Sequence, residues 1–347
     1  DARLQASTKA QGNAGNIIID VAGDIDLDND NLILSQVLTG AEGDAGDIRI
    51  TAGGSLDLNN TFIIADSKDR GSSGDIIIDV ADTITLRGEA PVREDGITIL
   101  PSAIITGLDE ARTDDANRDL ISSGQGEAGN IDISARELIV RDLGFITSST
   151  EDTTIGDGGN IIVNVDKLSI TDNGNIGSFT ENITEGKFDA GSVNVNANIV
   201  ELLRGGKIIV ATDGDGDAGD INLNVTERLT IDGSGEPSLT SDLVALDEPL
   251  IQELQGETGL FAQASERATG NGGNINIGAG EITPDGDGFR FNITQATDEV
   301  NVVNEGVITA DSQGKGSGGQ IFIRAENLNL DNQGQIAAIT SFPQAEN

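Results

Sequence analysis

A short pattern recurs nine times along this chain: a small residue, a glycine, a polar residue, and two aliphatic residues spaced by one. The first copies are Ala14-Gly15-Asn16-Ile17-Ile18-Ile19, Ala45-Gly46-Asp47-Ile48-Arg49-Ile50 and Ser73-Gly74-Asp75-Ile76-Ile77-Ile78. The others are centred on Gly129, Gly159, Gly191, Gly219, Gly273 and Gly319. Both aliphatic slots hold Ile, Val or Leu in every copy, and the slot six after the glycine is Val or Ala, from Val21 to Ala325. Three alternating apolar positions make a strand with one buried face. A repeat of this kind fixes architecture before any other feature is weighed.

Successive glycines lie 31, 28, 55, 30, 32, 28, 54 and 46 residues apart. The basic period is therefore 28–32 residues, and three longer intervals carry insertions. Two further apolar patches recur within a period. One runs Ile25/Leu27, Leu56/Leu58, Ile84/Leu86, Leu138/Val140, Leu168/Ile170, Val200/Leu202, Leu229/Ile231 and Leu328/Leu330. The other often follows a glycine by two, as in Gly144-Phe145-Ile146 and Gly174-Asn175-Ile176. Three short strands per period, separated by Gly, Asn and Asp turns, make one coil of a parallel β-helix. Each strand pairs with its equivalent in the next coil at ~4.8 Å. A lone coil cannot bury its Ile and Val, whereas stacking buries a column of them at ~1.5–3 kcal/mol per side chain before entropy is subtracted. The glycine marks a corner of positive φ or close backbone approach. Seven of the nine residues after it are Asn or Asp, which predicts a stacked polar ladder along one edge. A propeller repeat is longer, a leucine-rich repeat needs a helical half, and a sandwich does not repeat one strand motif.

Composition removes several chemistries. The chain has 347 residues with no Cys, His, Met, Trp or Tyr, so disulfides, thiolate or imidazole metal sites and histidine general bases are absent. The net charge of −39 disfavours nucleic acid and anionic membranes as partners. No apolar run reaches the ~20 residues of a membrane span. A chain that begins at Asp1 and lacks Met reads as a processed or excised piece. The 1–347 stretch reads as one β-helix segment of a longer solenoid or filament. It starts and stops on the third face of a coil without a polar cap, so its ends would meet further coils or neighbouring copies. Insertions fall at 88–103, 107–127, 232–258 and 280–305 and hold five of the six prolines. Loops on a rigid scaffold are where binding resides.

The most pointed local motif is Asp213-Gly214-Asp215-Gly216-Asp217-Ala218-Gly219-Asp220. Alternating aspartates in a glycine loop can wrap Ca²⁺, which makes Asp213, Asp215, Asp217 and Asp220 candidate metal ligands. Ala218 and Asn224 depart from an EF-hand loop, and half of the motif repeats the corner template Gly43-Asp44-Ala45-Gly46-Asp47. No cofactor is required by this reading; Ca²⁺ is the one candidate, as a bound ion or as diffuse screening of an acidic rod. The same stretch matches G-x-G-x-x-G, but no helix follows and its aspartates would repel a pyrophosphate. Asn-x-Thr sequences such as Asn182-Ile183-Thr184 arise by chance in so Asn- and Thr-rich a chain.

The order Gly-Asn-Ile-x-Ile, then x-x-Leu-x-Leu, then Gly-x-Ile resembles the haemagglutination-activity-type repeats of filamentous-haemagglutinin-like exoproteins. These are the passengers of two-partner secretion, and the Asp-rich, Cys-free style is closest to the very large cyanobacterial versions. The resemblance covers essentially the whole chain. It implies an all-β, right-handed parallel β-helix of about nine to ten coils, export across the outer membrane, and a structural or adhesive role at the cell surface without catalysis. The implied partners are the chain itself, end to end or laterally, or a surface glycan. The rival is a β-helical protein that binds or cleaves polysaccharide with clustered aspartates, which lacks support from Trp, Tyr or His.

Overall fold

A computed structural model describes residues 2–88, 102–108, 111–112, 120–122, 124–151, 154–181, 186–235, 256–286 and 288–341. The described residues form strands and turns without a helix, and nearly all strand pairs are parallel. The pairing order is that of a β-solenoid: each strand pairs with its equivalent in the coils before and after.

The first face stacks the repeated motif in register. Its column runs Ile17, Ile48, Ile76, Ile131, Ile161, Val193, Ile221, Ile275 and Ile321. The second face stacks Ile25, Leu56, Ile84, Leu138, Leu168, Val200, Leu229, Val300 and Leu328. The third runs Leu4, Ile33, Ile63, Ile104, Ile146, Ile176, Ile208, Leu260, Ile308 and Ile336. The three columns meet in one apolar core whose central members are fully buried. In the last described coil the column is open, and Leu328 and Leu330 are half-exposed.

Val300 and Val302 complete the second face of the eighth coil, a rung that the sequence hides. The 280–305 stretch is therefore only in part an insertion: Thr297–Val303 is a coil strand, while residues 280–295 form the extra structure. Of the other insertions, 88–103, 107–127 and 232–258, most residues lie outside the described ones. The described pieces Ala111–Arg112 and Leu120–Ser122 pair antiparallel in a separate two-stranded sheet.

The glycine corner joins the third face to the first. Its glycines have ordinary φ; close approach is what they supply. A Cβ on Gly159 would collide with the Gly129 carbonyl oxygen, and one on Gly129 with that of Gly74. The same holds at every later corner, so no side chain fits between stacked coils there.

Candidate functional site

The polar residue after each corner glycine links its coil to the next. Asn16 Oδ1 accepts the Asp47 N–H at 2.9 Å, and Asp47 Oδ1 accepts the Asp75 N–H at 3.1 Å. Asp75, Asn130, Asn160, Ser192, Asp220 and Asn274 repeat the bond, ending at Gln320 N–H. A second ladder runs two residues before the glycine, through Asn13, Asp44 and Ser72 and again through Asp157, Asp189, Asp217 and Asn271. A short side chain carrying an acceptor is what these positions require, which explains their Asn, Asp and Ser content.

The four aspartates of the acidic motif belong to this system and are not brought together. Asp213 is buried and takes hydrogen bonds from Ser265 Oγ and the Arg267 guanidinium. Asp215 accepts from Thr269 Oγ1 at 2.6 Å. Asp217 accepts from the Asn271 N–H and side-chain amide and pairs with Lys187 at 3.0 Å. Asp220 accepts the Asn274 N–H at 2.8 Å and its amide at 3.0 Å. Burial pushes the Asp220 carboxyl up against these bonds. At Asp217 burial also pushes upward, but Asn271 and Lys187 outweigh it and the carboxyl is held low. Each carboxylate thus serves a donor on the following coil or beside it. Among the described residues no three His, Cys, Asp or Glu side chains are grouped as a metal centre requires.

The structure instead draws attention to the arm that leaves the eighth coil. Ile275–Asp285 begins as a first-face strand, then runs on and pairs antiparallel with Gly288–Gln295. At its base, Gly280 N–H donates to Asn224 Oδ1 at 2.9 Å, and the Ile293 side chain packs where a Cβ on Gly278 would stand. At its tip, Pro284, Gly286, Gly288 and Phe289 close over the outer side of the third to fifth coils. They line an open-sided cavity of about 370 Å³ together with Ile77, Asp132 and Ile162 and with Asp75, Asn130 and Asn160. Five coil intervals at ~4.8 Å match about seven extended residues, so the arm lies along the rod.

The outer column beneath the arm is polar. Asn222 Nδ2 donates to Asn194 Oδ1 and Asn276 Nδ2 to Asn222 Oδ1, each at 2.9 Å. A parallel row joins Asn164, Asn196 and Asn224 at 2.8 Å. Asn194 is fully buried and its Nδ2 finds no acceptor among the described residues. Asp132, two rungs before it, has its carboxyl raised by burial and by the neighbouring Asp79, with Arg49 opposing.

Sequence reasoning missed three features. The first is the arm itself, since 280–305 read as a loop. The second is a set of buried hydroxyls, Ser148 and Ser178 among them. Ser148 Oγ donates to the Gly129 carbonyl at 3.0 Å and accepts the Gly159 N–H at 2.9 Å. Its signal was a polar residue in an inward slot, two after the third-face Ile. The third is an apolar outer side on the third face, where Phe179, Ile209, Ala211 and Phe261 form a buried cluster. The doublets Ile104-Ile105 and Ile208-Ile209 carried that signal, as strands buried on both sides do.

No protein-family model matches the chain, and no curated protein or solved structure does either. The likeness to filamentous-haemagglutinin-like repeats rests on the residues of the repeat alone. Among the described residues no helix is long and apolar enough to cross a membrane.

Proposed function

We propose that this chain is an extracellular structural or adhesive β-solenoid, a stiff stalk or fibre at a bacterial cell surface that works by shape and binding. The observation that carries this reading is the three-column core, continuous from coil to coil and tied at one corner by side-chain ladders. Such a stack resists bending, because every coil is fixed to its neighbours by three parallel strands and by the corner bonds. The open rungs at Leu328 and Leu330 support stacking of further coils, from the same chain or another copy. The acidic outer surface supports solubility of a long rod. A polysaccharide-cleaving alternative needs carboxylates paired across a cleft. The aspartates of the acidic motif are engaged instead as acceptors between coils.

Electron microscopy of the purified chain tests the shape. Nine coils at ~4.8 Å give a rod of ~45 Å, or fibres of multiples of that length if copies join. Antibody labelling of intact against permeabilised cells of the source tests the location. Round particles, or labelling that appears only after permeabilisation, would sink the proposal.

A further inference from the structure

The cavity under the arm has an unusual balance of hydrogen-bonding capacity. Each amide gives one of its two hydrogens to the ladder: Asn130 Nδ2 reaches Asp75 Oδ1 at 3.3 Å, and Asn160 Nδ2 reaches Asn130 Oδ1 at 3.3 Å. The Asn130 side-chain oxygen accepts both the N–H and the amide of Asn160, and the Asn160 oxygen accepts the Ser192 N–H. The charged capacity left over is carboxylate oxygen. Both oxygens of Asp132 and Oδ2 of Asp75 stand outside the ladders, and among the described residues no Lys or Arg lines the cavity, Arg49 acting on Asp132 only electrostatically. The arm's basic residue, Arg290, is paired to Asp285 at 2.6 Å. The rest of the lining is apolar: Ile77 and Ile162 on the floor, Pro284 and Phe289 on the roof.

This combination selects among ligand classes. An anion meets the carboxylates of Asp75 and Asp132 and no Lys or Arg in the described lining. A neutral sugar brings no charge to meet the Asp132 carboxylate, and Ile77, Ile162 and Pro284 offer its hydroxyls no partner. A bare divalent cation needs a shell of six or more oxygens, and among the described residues no three acidic side chains are grouped to begin one. A primary ammonium group brings donors only, one positive charge, and a methylene stem. Its charge suits Asp132 and the face of an aromatic ring, and its stem suits the aliphatic walls. From this lining we infer that the cavity between the arm and the third to fifth coils binds a primary alkylammonium group, with Asp132 as its anion and Phe289 as its roof. Asp132 sits half-buried near Asp79, whose repulsion Arg49 only partly offsets, a charge arrangement that a bound cation would relieve. The site does not depend on the stalk reading, because it can be measured on the isolated chain.

The probe is 1,5-diaminopentane, titrated calorimetrically into the purified chain at about 0.15 M salt, where surface charges are screened beyond ~8 Å. Saturable binding of one molecule per chain is expected. It should weaken by about tenfold or more in Asp132→Asn and in Phe289→Ala, since one lost ion pair in a partly dry site is worth about that factor. Asp26→Asn, at an exposed position on the second face, should leave it unchanged. Pentan-1-ol should not bind. Repeating the titration with Nα-acetyl-lysine methylamide separates the sources: binding of the diamine alone indicates a free polyamine, and binding of both indicates a lysine side chain of a partner. Phe289→Ala alters only the arm, so it reports on the site even if Asp132→Asn disturbs the coils. Uptake that never saturates, or that is equal in all variants, is diffuse counter-ion binding and overturns the inference.

Discussion

The outer sides of the first and third faces differ although their inner sides share an Ile-rich column, beside which the third face sets buried hydroxyls such as Ser148 and Ser178. Both present an Ile-rich column to the core, with the same register and the same burial. Outside, the first face in its sixth to eighth coils carries asparagine ladders beneath an antiparallel arm. The third face at the same height carries Phe179, Ile209 and Phe261, packed and buried. Gly177 makes room there, since a Cβ on it would run into the Phe179 ring. The inward residues therefore specify that a coil forms, and the outward residues specify what lies against it. Coil-forming residues repeat along the rod; outward ones change every few rungs.

The corner shared by these two faces should give the largest effect. Gly159→Val places a branched side chain against the Gly129 carbonyl. We expect a loss of more than about 4 kcal/mol or failure to fold, read by chemical denaturation. If Gly159→Val folds with near-native stability, the stacked coils are not as close as described. Next is Phe261→Ala on the third face, expected to cost roughly 3–5 kcal/mol as a core deletion would, despite its outward position. A cost below about 1 kcal/mol would make that side an ordinary surface.

The third face also holds Lys207, buried, with desolvation lowering its pKa from 10.5 to about 8 and Glu257 opposing. A lysine whose folded pKa is depressed binds fewer protons than in the unfolded chain between those two values. Stability should therefore rise as pH increases from about 8 to 10.5, by roughly 3 kcal/mol across the window. Lys207→Met should flatten that slope in denaturation curves; an unchanged slope would assign it to other groups. The first face should yield the smallest change. Asn222→Leu strands the Asn194 oxygen and the Asn276 amide, at a cost of about 1–3 kcal/mol. A stabilised variant would mean that the ladder offers no more than packing.

The inner columns and the corner ladder were legible in the sequence because they recur: the aliphatic slots and the Asn or Asp after each glycine obey one local rule. Glycine at the corner was read as needing either positive φ or close approach, and only stacked coordinates separate the two. The rung of Val300 and Val302 was hidden because an arm of non-repeating sequence displaces it from its glycine. The cavity was illegible for a deeper reason. Asp132 and Phe289 are far apart in sequence and share no motif, and they meet only because the arm runs back along the rod. The acidic motif looked like a site because its aspartates are close in sequence, yet consecutive positions on a coil face different neighbours.

The arm has a mechanical consequence. A solenoid in which coils touch only their neighbours unzips one coil at a time, like a column of coins lifted from the top. An arm that leaves the eighth coil and lines a cavity with the third to fifth would, once docked there, tie the coils between into a single span. Tension along the axis would then peel the flanking coils first and meet its main resistance at this span. Hydrogen exchange along the rod would show one plateau of slow amides there, with a gradient falling away on both sides.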